Sequence, residues 1–138
     1  MDADQLSLRA AEHLWSIRVL ALHIVAVRAS WFHRWMREGG PELARFLDID
    51  DRPEAETLGA GEITAALRGT WSSLALSLGA WTESDLDREF QSWRPSSGGE
   101  RPWRTRRWIV WHVAEHDLHH GGEISLTLGM HGLGGLDV

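Results

Sequence analysis

The chain of 138 residues is 43% hydrophobic, enough to bury one core, and it reads as a single domain over residues 1–138. Its formal charge of −6 sets the surface field against a phosphate backbone or an anionic bilayer, so neither nucleic acid nor membrane is an expected partner. The absence of cysteine excludes disulfides, thiolate metal sites and a cysteine nucleophile, and all 14 basic residues are arginine, which excludes lysine Schiff-base chemistry.

In chain order, the segment before Ser16, "MDADQLSLRAAEHLW", has room for a short helix of three turns at most, and its acidic residues argue against a signal peptide. No apolar run approaches the ~20 residues of a membrane span, so the expected location is the cytoplasm. Residues 16–38 place Ile17, Leu20, Ile24, Val27 and Trp31 at steps of three and four behind Ser16 as N-cap, which predicts an amphipathic helix ending at Gly39-Gly40-Pro41. Residues 48–57, "DIDDRPEAET", read as a solvated acidic loop. A further helix is expected from about Glu62 to Leu78, with Ile63, Leu67, Trp71, Leu74 and Leu78 on its core side.

The stretch "TESDL" is a short turn capped by Thr82, and residues 94–102, "RPSSGGERP", form the main loop. Thr105 caps the last helix, which runs to about Leu128 and is broken by Gly129 and the glycines after it. With no β alternation, the class is all-α, most simply an antiparallel bundle.

The last helix contains "WHVAEHDLHHGGEIS". His116 and His120 stand one turn apart, roughly 6 Å along the axis, so their imidazoles can converge on one ion. His112 extends the row, and His119 is rotated away. A third donor must come from another helix, and His23, flanked by apolar Leu20, Ile24 and Val27, is a polar ring that needs a partner. Taken alone, His23 reads first as a hydrogen-bonded core residue and the HxxxH pair as readily incidental as ligating. Together, three neutral imidazoles would suit Zn, Ni, Fe or Mn with positions left open for water or substrate.

"HVAEHDLHHGGEI" and "SIRVLALHIVAVRASWFHRW" resemble the last and second helices of the DinB-like family, related to thiol-dependent S-transferases and maleylpyruvate isomerase-type proteins. In that family an HxxxH pair is followed by glycine and Gln or Glu, and a histidine precedes a tryptophan by about two turns. The resemblance implies a four-helix bundle of up-down-down-up type, here with a shortened N-terminal helix, and a metal site of His23, His116 and His120. It also implies a homodimer, and a metal-dependent transferase or isomerase acting on a small-molecule substrate with a low-molecular-weight thiol. Such a dimer would share helices to make up the short N-terminus.

Glu123, one turn beyond His120, is the candidate carboxylate, either holding that ligand or acting as general base. Its bland alternative is a solvated helix carboxylate. Arg104 and Arg107, within "RPWRTRR" ahead of the last helix, oppose the helix dipole and are candidates to bind an anionic cofactor or substrate; pairing with the acidic excess is the simpler reading. Trp31 and Trp111 are candidates to wall an apolar pocket. The alternative functions are a metal-dependent hydrolase and a non-catalytic, metal-stabilised stress-response dimer.

Overall fold

In the computed structural model, residues 1–135 are described. The chain starts with α1 (Ala3–Ser7), closed by a capping box in which Asp2 and Gln5 bond reciprocally. Residues 8–16 then double back, tied by an antiparallel bridge between Arg9 and Ser16, and enter α2 (Ile17–Ala29). Ser16 caps α2 as expected, its hydroxyl accepting from the Val19 amide at 3.3 Å. The rod continues through a π-helical turn, Ser30–Trp35, which widens the helix where Trp31 and Trp35 stack at 4.1 Å.

The predicted stop holds, and its glycines have a physical role: Gly39 has φ +75°, and a Cβ there would lie 2.2 Å from Leu43 Cδ1. The same glycines lead into a helix that the sequence did not suggest, α3 (Gly40–Ala44), with Pro41 in its first turn. Residues 48–57 are not a solvated loop. They form two 3-10 turns, Ile49–Asp51 and Pro53–Thr57, that bury Ile49 and Ala55 and pack on α2.

The next helix, α4 (Ala60–Ala80), buries Ile63, Ala66, Thr70 and Leu74. The expected core side holds at Ile63 and Leu74, with Leu67 half-buried beside them, but not at Trp71, which is 54% exposed, or at Leu78, which also faces solvent. The expectation of no strand is corrected too, because β1 (Glu89–Gln91) pairs antiparallel with β2 (Trp103–Thr105), with residues 94–102 as the connection. Three-residue strands are too short for alternation to show in sequence. Finally, α5 (Arg106–Met130) is capped by Thr105, whose hydroxyl accepts from the Trp108 amide at 3.2 Å.

The protein is mostly helical, with α2 as the central rod, packed along α4 on one side and α5 on the other. Among the described residues α4 and α5 touch each other little, and α1 is only five residues long. One apolar cluster joins α1, α2, α4 and the end of α5 through Leu22, Val25 and Ile63; a second joins the π-helical turn, α3, β1 and the start of α5 through Phe32, Leu43 and Ile109. No helix is long and apolar enough to cross a membrane.

Candidate metal centre

Packing of α2 on α5 brings His23 against the HxxxH pair. The ring centroids are 5.0 Å apart for His23 and His116, 5.1 Å for His23 and His120, and 4.4 Å for His116 and His120. One ring nitrogen from each lies within 4.8 Å of the other two. The three ligand positions expected from the sequence therefore meet in space.

Two carboxylates set the orientation of the outer rings. Asp50 Oδ2 lies 2.7 Å from His23 Nδ1, and Glu123 Oε2 lies 2.6 Å from His120 Nδ1. An ionised carboxylate only accepts, so each Nδ1 donates, and in the neutral ring that tautomer keeps the Nε2 lone pair for a cation. His116 is different, because its Nδ1 is buried with no hydrogen-bond partner. Burial first, and the neighbouring rings of His120, His23, His112 and His119 second, push the His116 imidazole down to about 3 from its ordinary 6.5.

A half-buried, neutral imidazole whose Nδ1 is shut away without a partner costs free energy in the bare fold, and a cation at that nitrogen would satisfy it. On that observation the residues fit a divalent ion bound by His23, His116 and His120. The set has nitrogen donors only, which suits first-row transition metals better than magnesium or calcium.

The other predicted residues fall as follows. Glu123 is placed as the partner of His120, and its other oxygen lies 3.7 Å from His119. His119 is exposed, although with His120 and Glu123 it makes a second close group. His112 stays outside the triad, stacked on Trp108 at 4.9 Å and met edge-on by Trp31 at 4.7 Å. Trp31 does wall a cleft beside His23, whereas Trp111 is 58% exposed.

Arg104 and Arg107 are not brought to the histidines, since the start of α5 stands roughly 14 Å of helix axis before His116. Arg107 pairs with Asp87 at 3.2 Å, and Arg104 lies over the Trp108 ring at 4.9 Å. Their neighbour Arg106 is buried, donating to Glu38 at 2.8 Å and lying 4.2 Å over the Trp81 ring. It locks the β1–β2 end of the fold, and so two of the four arginines, Arg106 and Arg107, answer to acidic residues, while Arg101 donates to Ser92 O.

Asp50 was missed by sequence reasoning, along with Trp15, whose ring lies 5.0 Å from His23 and 6.0 Å from His120. The available signal was the polar ring of His23 itself, which required a partner from somewhere. Asp50→Ala is expected to weaken metal binding about 10–100-fold, read by competition with a chromophoric chelator. Unchanged affinity would remove the orienting role assigned to Asp50.

No curated protein and no solved structure matches the chain. A family model, described as the DinB family, matches residues 1–134. That span takes in α1 through α5 and every residue of the histidine cluster, and on it the chain belongs to the DinB family.

Proposed function

We propose that this protein is a metal-dependent transferase or isomerase that acts on a small electrophilic molecule with a low-molecular-weight thiol drawn from solution. One observation carries the reading: three imidazoles converge, two of them oriented by carboxylates, and the group is reached by clefts from two sides. A structural metal site would be closed by a fourth protein ligand. A divalent ion held there supplies positive charge that acidifies a thiol or water and polarises a carbonyl.

The chain's own residues do the rest. His23, His116 and His120 hold the ion, and Asp50 and Glu123 fix two of the rings. Trp15 packs against the His23 and His120 rings and gives the site an apolar wall on that side. The thiol comes from outside because the chain has no cysteine, and the cytoplasm, where small thiols are kept reduced, is the matching location.

The test is a panel of electrophiles offered to metal-loaded protein with and without small thiols. Turnover that requires both metal and thiol is the expected result. Metal-dependent turnover of esters or amides without thiol would replace it with hydrolysis, with Glu123 as base. Metal uptake that raises the melting temperature without any turnover would leave a metal-stabilised binding protein.

We also propose a homodimer formed through α4 and α5. These helices present Leu118 at 76%, Leu76 at 77% and Trp71 at 54% exposure, and among the described residues there is no fourth long rod to cover them. A second copy fits because the same faces are available on both partners, as a two-fold interface requires. Sedimentation should show a dimer at micromolar concentration and a monomer for Leu118→Glu with metal content retained. A monomeric wild type would end this part of the reading.

A further inference from the structure

The histidine triad is approached by two clefts of different character. The first, about 260 Å³, reaches His23 and mixes charged and polar groups, among them Asp48, Asp51, Arg94 and Ser92, with the rings of Trp31, Trp35 and Trp93. The second, also about 260 Å³, reaches His120, and its walls are Leu14, Trp15, Leu20 and Leu126. We propose that the second cleft is an apolar subsite that receives the aliphatic or aryl arm of the substrate, while the first takes its polar partner. This rests on the metal reading and adds the substrate class to it.

Local structure makes the subsite. Residues 8–16 leave α1 and return to α2, and the turn is fixed at both ends by the Arg9–Ser16 bridge and by the Ile17 amide donating to Leu8 O at 3.0 Å. The end of α5 is tied to the same turn, with His131 Nε2 2.9 Å from Arg9 O. Leu14 and Trp15 are thereby held across from Leu126 on α5.

Burial grades through the cleft. His120 at its base is 9% exposed, Leu14 44%, Trp15 49% and Leu126 61%. Single exposed apolar side chains are ordinary, but several lining one concavity that ends on a ligating imidazole match the anatomy of a small-molecule site. His13 is the exposed polar group on the rim, and the polar groups deeper in are already engaged. Thr127 donates its hydroxyl to Glu123 O at 2.8 Å, and the Glu123 carboxylate is held by His120. Orientation would come from the ion and affinity from the walls.

The test uses alkyl hydroxamic acids from acetohydroxamate to octanohydroxamate, titrated calorimetrically into the metal-loaded protein. The hydroxamate head seeks the ion, and the chain probes the wall. Affinity is expected to rise with length, up to roughly fourfold per methylene over the first few carbons. Leu126→Gln and Leu14→Gln should each flatten the series while leaving metal content and acetohydroxamate affinity unchanged. Two variants are used so that a folding defect in one does not decide the matter.

A flat series in the wild type, with acetohydroxamate still bound, would overturn the subsite and leave the metal site standing. A steep series that both variants preserve would also overturn it, because the chain would then lie elsewhere. Failure of the protein to take up metal would overturn both readings together.

Discussion

Replacing His116 with leucine is expected to weaken metal binding at least about a hundredfold while making the metal-free protein more stable by about 1 kcal/mol. The first effect follows from losing one of three ligands, which should exceed the loss of an orienting partner. The second follows from the bare fold. His116 Nδ1 is buried without a partner, and burial together with four neighbouring imidazoles holds the ring neutral down to about 3. Leucine fills similar space without an unsatisfied nitrogen.

The pH dependence has a definite sign. The folded value lies below the ordinary 6.5, so the neutral ring's contribution is fully present above pH 6.5 and is lost as pH falls toward about 3. A leucine side chain cannot titrate, so the advantage of the variant should widen on acidification, as read by urea unfolding of metal-free protein at pH 7.5 and pH 5. A purely structural histidine would give the opposite result, with the variant less stable at both.

The other large effect concerns the joint between the three long helices. Arg28 on α2 donates to Asp117 on α5 at 2.8 Å through Nη2 and at 2.9 Å through Nε, and to Leu67 O on α4 at 3.0 Å. Both side chains are largely buried, at 12% and 19% exposure. Burial raises the Asp117 carboxyl above its usual range even though Arg28 acts to lower it. Arg28→Met therefore leaves a buried carboxylate without its counter-charge, and it should destabilise by about 3 kcal/mol at pH 7.

The deficit relative to wild type should shrink as pH falls through the raised Asp117 value, because the unpaired acid then takes up a proton. Adding Asp117→Leu should recover most of the loss, since an apolar pair of similar volume is often as stable as a buried ion pair. If the single variant unfolds at the wild-type denaturant midpoint, the joint is not formed by this pair.

The histidine cluster was legible because its signals are local or nearly so. The HxxxH spacing fixes two imidazoles on one helical face, and a histidine among Leu20, Ile24 and Val27 marks the third. Asp50 was not legible, because 27 residues separate it from His23 and nothing in "DIDDRPEAET" specifies which acid turns inward. That choice is made when Ile49 buries against α2, which fixes the 3-10 turn and the direction of its neighbour.

The core side of α4 was legible at Ile63 and Leu74 but not at Trp71 and Leu78, for a related reason. Spacing predicts a stripe, but which stripe is buried depends on where the neighbours lie, and with α2 as its main partner Trp71 and Leu78 are left outside. Arg106 shows the converse. A cluster of arginines reads as a surface feature, yet this member is 2% exposed because Glu38, Asp85 O and the faces of Trp81 and Phe90 receive it.

The most direct test is the metal content of tag-free protein by inductively coupled plasma mass spectrometry, beside His23→Ala, His116→Ala and His120→Ala. About one transition-metal ion per wild-type chain is expected, and loss of that ion in all three variants. Wild-type protein that holds no metal after exposure to zinc, nickel, iron and manganese, or variants that hold it as well as the wild type, would contradict the three-histidine site.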